Sequence, residues 1–509
     1  MFDSRFGKHI GLALFCVALL ACGDSSGRQS AANPERVDSQ ALRSQAEGSQ
    51  ARAFYQARNW AAAWDEDNAE QLQAAIGQAQ AHGLRADMFL KALPDDPTER
   101  ELALTKAALT YASALARGHV DPKSFGHIYT IPRPNPNLAA GLARALEAGE
   151  VGPWLESLAP QTDEYRALSQ AYQQYRQRAA QVRDIEVAGG LLIKPGRTDP
   201  RIPAVAAALR ANDYLPADYA APPSDTQRYT KALVQAVQRL QADRGLKPDG
   251  IIGPATLVAL NRGPADRARQ LAVGLERLRW ADRNPPARRI DVNTAATFLD
   301  YFRDGQHVER RRVVTGEPGW ETPQLQSPIY RLVAHPIWRV PDSIYEDELA
   351  VKGSAYFEAN HMTFRGGRLV QLPGPKNALG QLKFDMKNDN SIYLHDTPAK
   401  ALFAEPQRHR SHGCIRVEGA LDFAMMLASE EGIAFDLQEA LAKGDEAFVT
   451  LKREIPVRLL YRTAYFDAGE VKLVPDIYGW DDEVARALGL GAGLPRQPRV
   501  HRRGVDVGP

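Results

Sequence analysis

Ser391-Ile392-Tyr393-Leu394-His395-Asp396-Thr397-Pro398 and, with fifteen residues between His395 and Ser411, Ser411-His412-Gly413-Cys414-Ile415-Arg416-Val417 decide how this chain is read. Ile392-Tyr393-Leu394 is a short apolar strand that delivers His395 at its end, and Pro398 breaks it. Gly413 permits a tight turn before Cys414, and a helix is expected just after, from about Glu418 to Ala428. A cysteine attacks an amide or ester carbonyl as thiolate, and a free thiol pKa of about 8.5 leaves little thiolate at neutral pH. An imidazole takes the proton and stabilises the anion, so His395 is the candidate base for Cys414. Amide N–H groups beside the sulfur are expected to hold a developing oxyanion, worth about 3 kcal/mol per donor. The dipole of the following helix is expected to favour thiolate. His412 is too near Cys414 in sequence to approach from the attack side; with Ser411 and Gly413 it is a supporting residue that orients the loop or the oxyanion region. His409 and His412 are three apart, but no further Cys, His or carboxylate cluster completes a zinc set.

The surroundings of this stretch read as mainly β. From about residue 288 the apolar period changes to two: Ile290 and Val292 alternate with polar residues, and Asp304-Gly305 is a hairpin turn signal. Val457, Leu459 and Tyr461 alternate again, and Asp467-Ala468-Gly469 turns into Val471 to Val474. A chemistry-bearing domain is expected over 288–445, with a β extension over 446–482 and a basic tail over 491–509. Upstream, Leu104, Ala108, Tyr111 and Leu115 recur at helical spacing until Gly118, Asn137 caps a second helix, and Tyr165 to Arg178 is a third. Residues 51–195 are therefore a helical scaffold without an ionisable cluster at catalytic spacing. Residues 196–262 form a three-helix module: Leu233, Val237 and Leu240 make one stripe, Gly245 suits a left-handed cap, and Pro254 opens a short helix.

The 509 residues suffice for about three folded units. Lys+Arg 63 against Asp+Glu 62 gives no basic face for nucleic acid. Arg5 and Lys8 precede an apolar run from Ile10 to Leu20, the length of an export signal and short for a membrane span. Leu19-Leu20-Ala21-Cys22 resembles the bacterial lipobox, which implies cleavage after residue 21 and acylation of Cys22; an ordinary secretory signal is the other reading. Residues 22–50 are then a flexible tether. Cys16 leaves with the signal and Cys22 is acylated, so Cys414 is the remaining free thiol.

Two longer resemblances follow. Val237-Gln238-Arg239-Leu240-Gln241 to Asp249-Gly250-Ile251-Ile252-Gly253-Pro254 resembles the peptidoglycan-binding type 1 module. The histidine, the gap and Ser411-His412-Gly413-Cys414-Ile415-Arg416 resemble the signature of the L,D-transpeptidase (YkuD-type) catalytic domain. Trp338-Arg339-Val340-Pro341-Asp342-Ser343-Ile344 and Pro373-Gly374-Pro375-Lys376-Asn377-Ala378-Leu379-Gly380 resemble stretches of its large periplasmic subfamily. Gly419 departs from the signature, where many smaller members carry Asn.

The resemblance implies a multidomain α+β protein: helical scaffold, peptidoglycan-binding module, and mainly-β catalytic domain with a lid-like capping loop over 342–380. It implies acyl transfer with Cys414 as nucleophile and His395 as base, giving 3→3 crosslinks between peptidoglycan stem peptides. It makes Arg416, Lys376 and Asn377 candidates for substrate carboxylates and requires no metal or organic cofactor. Partners are stem peptides, a membrane through the lipid on Cys22, and other wall synthases, in the periplasm with the outer membrane favoured. An L,D-carboxypeptidase or endopeptidase would share the same site. A non-catalytic wall-binding scaffold explains the module and tether but not His395, Gly413 and Cys414 together. No Ser-x-x-Lys occurs, which removes a penicillin-type serine nucleophile.

Overall fold

A computed structural model describes residues 37–181, 185–220 and 225–491. The expected export signal, Cys22, the expected tether up to residue 36 and the tail beyond 491 lie outside the described residues. Among the described residues no helix is long and apolar enough to cross a membrane.

Seven helices form the N-terminal body: α1 Ser39–Gln45, α2 Ser49–Ala57, α3 Glu66–Gly77, α4 Pro97–Arg117, α5 Leu138–Ala148, α6 Val151–Leu158 and α7 Asp163–Gln181. The stripe on α4 is buried throughout, Asp96 caps its start, and Gly118 ends it at φ +88°. Residues 37–50, expected to be tether, instead begin this body: Asp38 caps α1, and Leu42 and Ala46 are buried in the core. Two apolar side chains spaced one turn apart are enough to dock this polar segment.

The module follows as α8 Ile202–Ala211, α9 Lys231–Asp243 and α10 Pro254–Leu260, with its own core. Val187 and Ile193 belong to that core, and Ile193 bridges Ile252, so the module begins before residue 196. α11 Pro264–Trp280, which the sequence reading left unassigned, returns the chain to the helical body and packs along α7. It buries Leu271, Val273 and Leu275 together with a fully enclosed pair, Arg279 Nη2 to Glu276 Oε2 at 2.6 Å. Glu276 also accepts from Val120 N and Trp280 Nε1, and Arg279 from its other Nη donates to the His82 carbonyl and Tyr165 hydroxyl. Removing one member of so enclosed a pair costs about 3–5 kcal/mol.

The remaining chain is built on strands β1 Arg289–Asn293, β2 Phe298–Arg303, β3 Gln306–Gly316, β4 Gln326–Ala334, β5 Trp338–Arg339, β6 Met362–Arg365, β7 Arg368–Gln371, β8 Leu382–Met386, β9 Leu394–His395, β10 His409–Ser411, β11 Ile415–Val417 and β12 Ala447–Leu460. Nine of them run in the order β10-β3-β11-β9-β8-β4-β12-β1-β2, and β2 also pairs with β3, so the sheet curls back on itself. Asp304 and Gly305, both at positive φ, make the two-residue turn between β2 and β3. Alternation turns Ile290, Val292, Val313, Leu332, Phe384, Leu394, Ile415 and Val457 into one core, closed by helices α14 Ala420–Glu430 and α15 Ala434–Lys443.

The capping segment is not a simple lid-like loop. β5, β7 and β6 form a small sheet that packs with helices α12 Asp342–Ile344 and α13 Ser354–Ala359. Trp338, Val340, Ile344, Leu349, Met362, Leu369 and Leu379 fill its own core, so it starts at Trp338 and is a folded cap. The C-terminal extension also differs from expectation. β12 lies inside the main sheet, while the hairpin β13 Ala464–Asp467 and β14 Glu470–Leu473 and helix α16 Trp480–Ala487 pack against α7 and α11. The last residues thus tie the barrel to the helical body. Overall this is a mixed α+β multidomain chain, helical first and mostly β after.

Candidate active site

β9 and β11 lie side by side and parallel, with Leu394 opposite Ile415 and His395 opposite Arg416. β8 runs antiparallel on the other side of β9, with Lys383 opposite His395. Because side chains alternate, Leu394, Ile415 and Phe384 enter the core, while His395, Arg416 and Lys383 share the opposite face. Tyr393 and Cys414 directly precede β9 and β11; Cys414 is hydrogen-bonded to Tyr393 and also borders the core. The rings of Tyr393 and His395 meet edge-on at 5.7 Å.

Each functional side chain is held by the fold. His395 is fully buried, and its Nδ1 contacts the Asp396 carbonyl at 2.5 Å. A carbonyl only accepts, so Nδ1 carries the proton and the neutral ring keeps its basic lone pair on Nε2. The Asp396 carboxylate accepts from Gln381 N at 3.0 Å and pairs with Lys400, which anchors the strand end. Gly380 is required opposite it: a Cβ there would lie 2.3 Å from Asp396 Oδ2, at φ +63°.

Cys414 is 5% exposed. Its Sγ contacts the Ser391 carbonyl at 3.6 Å and is hydrogen-bonded to Tyr393. Burial pushes the Cys414 thiol up to about 11; Tyr393, Lys383 and Arg416 pull the other way. The expected depressed thiol is therefore not what the resting site holds. Part of the reason is local: strand β11 separates Cys414 from α14, which starts only at Ala420, so the helix dipole does not sit at the sulfur.

The loop over 411–414 is internally tied. Gly413 has φ +110°. Its N–H, expected to be free for an oxyanion, instead donates to Ser411 Oγ at 3.3 Å, and its carbonyl accepts from Thr322 Oγ1 at 2.8 Å. Ser411 Oγ donates to the Cys414 carbonyl at 2.6 Å. His412 Nε2 meets Glu348 Oε1 of the cap at 2.7 Å and packs edge-on against Trp320. It thus joins the loop over 411–414 to the cap. His409 points elsewhere: its Nε2 donates to the Thr294 carbonyl, and burial pushes it down to about 4. Among the described residues no group of side chains is arranged to hold a metal ion.

Two candidates for substrate carboxylates make their hydrogen bonds to nearby backbone. Asn377 is 1% exposed and spends its amide on the carbonyls of Pro336, Gln371 and Leu372 and its Oδ1 on Leu379 N. It is a turn-building residue, which explains why the motif needs an amide there. Lys376 Nζ donates to the Ala359 carbonyl within the cap. Arg416 stays at the site, 1% exposed beside His395. Sequence reasoning missed Tyr393 and Lys383. Lys383 Nζ lies 4.1 Å from the Tyr393 ring centre and pairs with Asp385 at 2.6 Å, which in turn holds Arg331. The register of three strands brings these groups together, and no local spacing announces it. A cavity of about 420 Å³ between the helical body and the outer face of β1 and β2 contains none of these residues. Three of its acids are matched: Asp291 by Arg289 and Arg458, Asp300 by Arg310, and Glu164 by Arg462.

A thiol bonded to Tyr393 and an imidazole packed on the same tyrosine lie beside a folded cap in a multidomain chain that also carries a three-helix module. Comparison with known proteins shows what its parts are similar to. Residues 287–434 match the L,D-transpeptidase catalytic domain (YkuD), 49–171 the scaffold domain and 198–260 the "Putative peptidoglycan binding domain". Residues 287–434 are thus similar to the L,D-transpeptidase catalytic domain. It is 29% identical over 221 residues to a "Putative L,D-transpeptidase" of Haemophilus influenzae, covering 38% of this chain and 45% of that one. The match spans less than half the length of that relative. Among solved structures it is similar to an L,D-transpeptidase from Xylanimonas cellulosilytica, with 17% identity over 54% of this chain and all of that one, TM-score 0.20. The Ldtfm-avibactam carbamoyl enzyme follows, with 13% identity over 36% of this chain and 51% of that one, TM-score 0.19. Scores this low carry no argument about the fold, which rests on the topology above.

Proposed function

We propose that this chain joins peptidoglycan stem peptides by 3→3 crosslinks through a thioester on Cys414. The observation that supports it is the pairing of β9 with β11, which brings His395, with Nδ1 fixed on a carbonyl and its ring against Tyr393, beside the strand that Cys414 precedes, Cys414 being bonded to the same tyrosine. The thiol rests protonated, so His395 takes its proton as the sulfur attacks the carbonyl of the stem's third residue. The sulfur–carbon bond forms, the C–N bond to the terminal D-Ala breaks, and the imidazolium returns its proton to the leaving amine. The side-chain amine of a second stem then attacks the thioester, gives its proton to His395, and the thiol is restored. Arg416 and Lys383 supply positive charge on this face, favouring the thiolate-like transition state and an anionic stem. His412 and Glu348 hold the cap over the groove.

The module over 185–262 would keep the enzyme on the wall, and the lipid on Cys22 would hold it to a membrane in the periplasm, the outer membrane favoured. The test is mass analysis of muropeptides after incubation of tetrapeptide monomers with wild type and the Cys414→Ala variant. A crosslinked dimer from wild type alone is expected. Tripeptide alone makes the chain a carboxypeptidase, and dimer from Cys414→Ala overturns the nucleophile.

A further inference from the structure

Arg244 follows the last turn of α9 in the module, and Arg267 lies near the start of α11 in the helical body. Both are more than nine-tenths buried, at 5% and 8% exposed. The buried Nε and Nη1 of Arg244 have no hydrogen-bond partner among the described residues, and neither do Nε and Nη2 of Arg267. Arg267 spends only Nη1, on the Tyr175 hydroxyl at 2.8 Å. Its guanidinium lies 5.3 Å from the Tyr175 ring centre and 5.6 Å from that of Tyr214, so two aromatic faces set its plane. The charges around Arg244 are Arg267, Arg262 and Asp243; nearby Asp213 is already taken by Arg178 and Tyr175. Burial and the charge of Arg267 push Arg244 down only to about 10, so it remains a cation at neutral pH.

Two buried cations side by side with four unmatched guanidinium nitrogens are a costly arrangement unless an anion completes it. Planar guanidinium forks match the two oxygens of a carboxylate. The place is also suggestive. A Cβ on Gly245, next to Arg244, would lie 3.7 Å from the Pro406 carbonyl, in the loop that joins His395 to Ser411. The pair therefore sits where module, helical body and catalytic loop meet.

We propose that Arg244 and Arg267 form a seat for a carboxylate of a peptidoglycan stem peptide, so that the module and the helical body grip the strand together. This rests on the function proposed above and adds a second point of recognition, away from the thiol.

The experiment measures binding to the full chain carrying Cys414→Ala, which prevents turnover. The probes are monomeric muropeptides with free carboxylates, the same muropeptides amidated, and inorganic phosphate. Free-acid muropeptides are expected to bind at least tenfold more weakly once Arg244→Met is added, and Arg267→Lys to fall between the two. Amidated muropeptides should not distinguish Arg244→Met from its parent. Thermal unfolding without ligand should be unchanged or raised by Arg244→Met, because a buried unmatched charge is gone. Equal binding of free-acid muropeptides with and without Arg244→Met overturns the proposal. So does phosphate binding as tightly as they do, which marks a general anion seat, or a fall in unliganded stability with affinity intact, which marks a structural arginine. If Arg244→Met does not fold, unchanged affinity in Arg267→Lys and Arg267→Gln overturns it. Crosslinking by the intact thiol is scored separately, so its failure leaves this comparison readable.

Discussion

Raising the pH across the resting protein tests the state of the Cys414 thiol. With the thiol at about 11, the thiolate fraction at pH 7.5 is about 3 × 10⁻⁴, against about one tenth for a free cysteine. That is roughly 300-fold less nucleophile. A more basic thiolate is intrinsically more reactive, by about tenfold over this span at a Brønsted coefficient near 0.45. Alkylation of Cys414 by iodoacetamide should then be about 30-fold slower than that of a free cysteine, before any shielding by its burial. Peptide mass mapping isolates the adduct on Cys414 from any other cysteine. The logarithm of the rate should climb with unit slope to beyond pH 10. Lys383→Met, which removes one of the charges pulling the thiol down, should slow the reaction further at every pH. A rate that levels off below pH 8, or equals that of a free cysteine, refutes the reasoning: the site would then hold a preformed thiolate–imidazolium pair, and His395 would not be the base during attack.

His409 is held down to about 4 by burial, against about 6.5 unfolded. Its neutral form is favoured in the fold, so this stability is present above pH 6.5 and is lost as pH falls toward 4. Urea unfolding at pH 5 should show roughly 2 kcal/mol less from this group than at pH 7, and His409→Gln should remove that part of the slope. Asn377→Ala should lower stability by about 2–3 kcal/mol through the orphaned carbonyls, seen as a drop in Tm, with KM for stems changing little. Deleting 185–262 should weaken pelleting with sacculi while Cys414 stays reactive; unchanged pelleting removes the wall-binding reading.

Much of this site could be read directly because its chemistry is local. Gly413 before Cys414 and a strand ending in His395 are short-range signals, and the strands and the positive-φ turn formed as their composition demands. Tyr393, Lys383 and Asp385 were invisible because they reach the thiol through the register of β8, β9 and β11, a non-local fact. α11 was missed because Glu276, Arg277 and Arg279 interrupt its apolar pattern, yet all three are buried by pairing. The cap was taken for a loop because its glycines suggest freedom, whereas Trp338, Val340 and Ile344 give it a core. Asn377 looked like a ligand for the same reason any buried amide does: its partners are backbone carbonyls that carry no sequence signature.

The most direct measurement is to trap the acyl-enzyme. A carbapenem incubated with the full chain, followed by intact-mass spectrometry and peptide mapping, should place one adduct on Cys414, and His395→Ala should slow its formation by about two orders of magnitude or more. An adduct on another residue, or none at all on the folded protein, contradicts the account.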